Sequence, residues 1–144
     1  MEKPVHPIMV CLWFDGQAKA AAEFYCSVFK NSKITADTPM VVTFELNGTK
    51  FMGLNGGPQF TFDEAISLVV NCDSQQEIDY YWEKLTADGG KESMCGWLKD
   101  KYGLSWQIVP SNIGELMMNP EKSQRVMEVV MKMKKLDMEK MMNA

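Results

Sequence analysis

Gln107 is a carboxamide in the middle of the strand-like stretch LSWQIVP that follows Asp100-Lys101-Tyr102-Gly103. Residues 104–109 read as a strand, with Trp106 and Ile108 on one face and Ser105, Gln107 and Val109 on the other. Tyr102-Gly103 makes the turn before it. Pro110 ends it, because proline has no N–H to give a sheet. A mid-strand carboxamide needs a partner or a pocket, since burying it unpaired costs about 1–3 kcal/mol. What Gln107 faces is the functional question.

Proton-moving and metal-binding side chains are scarce. A divalent metal needs several hard or imidazole ligands converging on one point. The chain has one histidine, His6, ahead of the first strand, where exposure is the simpler expectation. Asp15 and Asp73 read as helix caps and Asp100 as a turn residue. Glu45 remains as the candidate general base, against the plainer reading of a strand acid on an outer face. Gly-x-Ser-x-Gly is absent. No Gly-rich loop follows a strand with an acid downstream, and Gly56-Gly57-Pro58 reads as a linker turn, so no cofactor is expected.

The four cysteines, Cys11, Cys26, Cys72 and Cys95, never form Cys-x-x-Cys. No apolar leader precedes the first strand and no apolar run could cross a bilayer, so reduced thiols and a cytoplasmic protein are expected. Cys11 and Cys72 lie in strand patterns and read as small core residues. Cys95, beside Gly96, reads as the accessible one. A net charge of −4 without a basic, aromatic-interleaved stripe argues against nucleic acid. Lys132, Lys134 and Lys135 read as a solvated helix face.

Local patterns supply the elements that must position these groups. Residues 8–14 form an apolar strand, followed by the Asp15-Gly16 turn and a helix over 17–29 whose face is Ala21, Phe24, Tyr25, Val28 and Phe29. Its alanines let it lie close to a sheet. Residues 40–46 and 50–55 flank Asn47-Gly48, the strongest hairpin signal in the chain. The loop through 59–65 is the joint between two halves. Residues 66–72 are again a strand, then Asp73 and Gln76 suggest a capping box. Ile78, Tyr81, Trp82 and Leu85 recur at helical spacing until Gly89-Gly90. A hairpin over 95–109 follows. Asn119-Pro120 opens a last helix, about 120–134.

A shift of 58 residues lays Ile8 on Ile66, Asp15 on Asp73, Gln17 on Gln75 and Phe24 on Trp82. An internal repeat follows: strand, helix, hairpin, twice. The more apolar strand faces (Ile8, Val10, Leu12, Phe14; Ile66, Leu68, Val70, Cys72) should pack on the helices. Met9, Cys11, Trp13 and Ser67, Val69, Asn71 would line whatever the sheets enclose. Trp13, Trp97, Tyr102, Trp106 and Phe51 lie on or beside those strands. Apolar surroundings with a few placed polar groups suit a small-molecule site. Gln107, Ser67 and Asn71 would supply the polar groups, although each aromatic taken singly is more simply explained as ordinary core. The 13 methionines crowd toward the C-terminus, which suits packing against the domain or a partner subunit.

LWFDGQAKAAAEFYCSVFKNSKI, NGGPQFTFDEAISLVVNC, CGWLKDKYGLSWQIVP and RVMEVVMKMKKLD together resemble the PhnB-like branch of the vicinal oxygen chelate superfamily. That superfamily includes glyoxalase I, bleomycin-resistance proteins and extradiol dioxygenases, and the branch carries the label 3-demethylubiquinone-9 3-methyltransferase. The resemblance implies an α+β fold of two βαβββ modules curled around a cup, usually in a homodimer. Module one would span about 5–57 and module two about 62–112, in one domain over 1–144. The region after Ile34 is shorter than is usual in that branch, so a truncated second strand of module one is expected.

Metal-using members place His or Glu on the first and last strands of each module. Those positions fall here at Ser67 and Gln107, at Met9 or Val10, and at Leu54 or Asn55. None is a histidine or an acid, so no metal is expected. The expected function is metal-free binding of a small ligand in an apolar-aromatic cup touching Gln107, Trp13, Ser67, Asn71, Asn55, Cys11, Met9, Trp97 and Tyr102. The alternatives are an enzyme of the same fold, including the labelled methyl transfer, and a structural dimer with a filled cup.

Overall fold

The computed structural model describes residues 7–144, so His6 lies outside it. The chain divides into two compact units, 1–61 and 62–144.

In the first unit the order is β1 (Val10–Phe14), α1 (Ala18–Val28), β2 (Lys33–Asp37), β3 (Val41–Leu46) and β4 (Thr49–Asn55). The sheet runs β1-β4-β3-β2, with β1 parallel to β4 and the other pairs antiparallel. Asn47 (φ 48°) and Gly48 (φ 87°) both take left-handed backbone, as a two-residue hairpin turn requires. Leu12, Phe14, Val42, Phe44, Leu46 and Phe51 are buried beneath Ala18, Ala21, Ala22, Tyr25 and Val28 of α1. The close approach expected of the alanines is real. A methyl group on Gly53 would lie 3.0 Å from the Ala18 Cβ. Phe44 stacks between Tyr25 (6.2 Å) and Phe51 (5.4 Å). Burying one such ring is worth about 1.5–3 kcal/mol.

The second unit repeats this plan with β5 (Ser67–Cys72), α2 (Gln75–Thr86), β6 (Lys91–Glu92), β7 (Trp97–Lys99) and β8 (Ser105–Pro110), in the order β5-β8-β7-β6. Ile78, Trp82 and Leu85 of α2 are buried, as are Cys72, Leu98, Trp106 and Ile108 of the sheet. The 58-residue shift therefore reflects a true βαβββ repeat. Three further helices follow, α3 (Ile113–Met118), α4 (Pro120–Val130) and α5 (Met138–Met142). Leu116, Val126, Val130, Leu136 and Met141 gather over Val109 of β8.

The C-terminal segment is also tied down by polar groups. Cys95 N donates to Met133 O at 2.7 Å, and Gly96 N to Lys134 O at 2.8 Å. Gln75 Nε2 donates to Leu136 O at 3.0 Å, and its Oε1 accepts from Met138 N at 2.9 Å. Lys135 pairs with Asp79 at 2.8 Å.

Several expectations need correction. Asp15 does not cap α1; Asn55 Oδ1, from the end of β4, accepts from Ala18 N at 2.9 Å. Asp73 does not cap α2; Ser74 Oγ accepts from Glu77 N, and Asp73 instead accepts a 2.7 Å bond from Ser111. β2 is a full five-residue edge strand with an irregularity between Ile34 and Ala36. Ile8 and Ile66 precede their strands and are 84% and 67% exposed, so neither joins the helix-facing core. The last long helix stops at Val130, and the three lysines lie on the irregular segment beyond it. Cys11 is exposed and Cys95 half-buried, the reverse of the sequence reading, because the β1 face carrying Cys11 points away from α1. Among the described residues no helix is long and apolar enough to cross a membrane.

Candidate functional site

Two of the residues singled out from the sequence meet directly. Gln107 Nε2 donates to Ser67 Oγ at 2.9 Å, across the parallel β5–β8 pair. Both side chains are half-buried on the face of the sheet opposite α2. In register, Trp97 and Val69 flank Gln107, while Ser67 and Lys99 flank Ser105. Trp97 thus stands beside Gln107, and Asn71 lies exposed at the far end of the same face. Tyr102 belongs to the turn before β8, with its N–H on Asp100 Oδ1 at 2.9 Å. Asp100 is 3% exposed, and its other oxygen accepts from Trp106 Nε1 at 2.9 Å, so this carboxylate builds the turn.

The sequence reading passed over Ser105. It is fully buried, and among the described residues its hydroxyl is the one buried side-chain polar atom without a hydrogen-bond partner. The signal was available, since Ser105 shares the period-two face of Gln107. Lys99, opposite Ser105, is ion-paired with Glu64 from the segment before β5.

In the first unit the predicted residues divide between structural duties and an open face. The Trp13 indole N–H donates to Gly57 O at 2.8 Å, and its ring meets Phe60 edge-on at 4.9 Å. A methyl group at Gly56 would lie 2.3 Å from that ring, which accounts for glycine in this turn. Asn55 uses both ends of its amide, capping α1 and donating to Pro39 O at 3.0 Å. Cys11 is exposed, and burial of its surroundings raises its thiol above the ordinary value. Met9 and Glu45, with Thr43 and Lys50, line a recess of about 250 Å³. Thr35 and Thr43 share a 2.7 Å hydroxyl bond there.

A superfamily-type metal does not fit these residues. At Ser67 and Gln107 the chain offers a hydroxyl and a carboxamide already bonded to each other, hence neutral oxygens only. Among the described residues no three His, Cys, Asp or Glu side chains converge. The α1 N-terminus is occupied by Asn55, and the Gly56 and Gly57 N–H groups bond to Phe14 O, so neither place offers free donors to a phosphate.

Comparison with known proteins accords with this geometry. Residues 6–109 match the model of the family described as 3-demethylubiquinone-9 3-methyltransferase. A PhnB protein from Bacillus cereus, titled a putative 3-demethylubiquinone-9 3-methyltransferase, is 35% identical with a TM-score of 0.65, over 72% of this chain and 99% of that one. A glyoxalase/bleomycin resistance protein/dioxygenase family enzyme from Burkholderia phytofirmans PsJN is 15% identical with a TM-score of 0.54, over 69% and 94%. A glyoxalase/bleomycin resistance protein from Albidiferax ferrireducens T118 is 14% identical with a TM-score of 0.53, over 69% and 93%. No curated protein matches. With its doubled βαβββ fold and this match over most of its length, the chain belongs to the PhnB-like 3-demethylubiquinone-9 3-methyltransferase family of the glyoxalase/bleomycin-resistance fold.

Proposed function

We propose that this protein binds a small, partly apolar molecule without a resident metal, as a cytoplasmic homodimer. The observation that carries the reading is the 2.9 Å bond between Gln107 and Ser67. A neutral donor–acceptor pair stands where metal-using relatives need imidazole or carboxylate. Trp97 and Val69 beside it supply apolar surface, so the face has the make-up of a ligand site: mostly apolar, with a few polar groups that orient.

Two measurements test it. Purified protein incubated with nickel, zinc or iron and then desalted should retain no stoichiometric metal; retention abolished by Gln107→Ala rejects the reading. Sedimentation should give a dimer, and a monomer across the micromolar range would remove the homodimer from it. The family description favours a second reading, methyl transfer. Titration with S-adenosylmethionine decides, since saturable micromolar binding would displace the first reading.

A further inference from the structure

We propose that Ser105, Ser67 and Lys99 form an anchor for a carboxylate-bearing ligand, and that Glu64 holds the place of that carboxylate in the free protein. The inference rests on the reading of the Gln107 face as a ligand site and specifies the ligand's charged end.

Ser105 is fully buried and its Oγ has no partner. A buried polar atom is rarely left so, because it forfeits its bonds to water without replacement. Ser105 lies in a row across the sheet, with Ser67 as its register partner on β5 and Lys99 on β7. By strand pleating the three side chains share one face. Ser67 Oγ accepts from Gln107 Nε2, which leaves its own O–H to donate. The row thus presents two hydroxyl donors and an ammonium and no acid of its own. Such a set suits an oxyanion, and charge-assisted bonds are the stronger kind.

The molecule itself supplies a carboxylate at the Lys99 end of this row. Glu64, from the segment before β5, pairs with Lys99, and both side chains are well exposed, 62% and 39%. A solvent-screened pair of this kind is weak, so a better-placed carboxylate can displace it. Gln107 and Trp97, one row further along, would then meet the uncharged part of the ligand.

The test uses benzoate and benzamide, which share a ring and differ in charge, titrated into the isotopically labelled full chain and followed by amide resonances. Benzoate should move Ser67, Lys99 and Ser105 and bind about tenfold tighter than benzamide. Lys99→Met should remove that preference, Glu64→Gln should strengthen benzoate binding, and Ser105→Ala should weaken it. Lys99 and Glu64 are surface residues, so their variants carry the test even if the Ser105 variant misfolds. Equal binding of the two probes at this face overturns the anchor while leaving the ligand site standing. Benzoate affinity untouched by Ser105→Ala means the hydroxyl holds only water, and the proposal falls. Silence of this face toward both probes overturns the anchor and the ligand-site reading together.

Discussion

The two modules share a plan and solve its local problems differently. The hairpin joining the third and fourth strands shows this best. In module one, Asn47 and Gly48 make the turn with backbone alone, by adopting positive φ. In module two, the chain needs a longer loop, and the buried Asp100 carboxylate gathers Tyr102 N, Leu104 N and the Trp106 indole to shape it. Helix entry differs in the opposite sense. α2 is capped by its own neighbour, Ser74, whereas α1 borrows Asn55 from a strand 37 residues away. Module one therefore has one junction written locally and one that exists only after its sheet has formed, whereas both junctions of module two are made by side chains within six residues of the groups they bind.

That contrast orders the expected losses. Asp100→Ala takes the shared acceptor from three donors, two of those bonds buried, and should cost about 2–4 kcal/mol, read as a lower urea midpoint. Gly48→Ala, which only forces a side chain into left-handed backbone, should cost about 1 kcal/mol. Equal losses would erase the distinction between the two turns. Asn55→Ala should cost about 1 kcal/mol and speed amide exchange in the first turn of α1. Ser74→Ala should do the same for α2 alone.

The thiols sharpen the comparison further. Iodoacetamide should label exposed Cys11 of β1 first. Cys72 of β5 should stay unlabelled until unfolding, because burial, then Glu77 and Asp73, push its thiol up to about 12. The smallest effect is confined to module two. Hydrogen bonds from Lys135 and then Gln75 hold the Asp79 carboxyl below its usual range. A depressed carboxyl stabilises above its unfolded value, and this contribution is lost as pH falls through the lowered one. Protection of the amides over residues 131–138, taken relative to their intrinsic exchange at each pH, should therefore fall slightly below about pH 4, with module one unaffected.

What the sequence showed and what it hid divide along the same line. Asn47-Gly48 and Asn119-Pro120 were readable because each acts on adjacent backbone, and Asn119 Oδ1 does accept from Glu121 N and Lys122 N. The Gln107–Ser67 meeting was half readable: strand alternation put both on one kind of face, but the register that joins them is tertiary. Asn55 as a cap was hidden because donor and acceptor lie far apart in the chain. The α2 cap was misplaced by one residue, since Asp73 and Ser74 are both good caps, and Ser111 claims the Asp73 carboxylate. β6 escaped notice because Lys91 and Glu92 carry no apolar alternation. Burial of Cys95 follows from helices beyond residue 109, where the family match ends.

Gln75 behaves like a stray peptide unit. Its amide gives a hydrogen to Leu136 O and takes one from Met138 N, two residues on, as an adjoining strand would. Module two thus adds a side-chain forgery of sheet pairing to the backbone bonds, the ion pair and the apolar cluster that hold its terminal extension. Glutamate at this position keeps the acceptor and loses the donor, and alanine loses both. The seam is consequently open to graded loosening by one codon, without disturbing a single true strand.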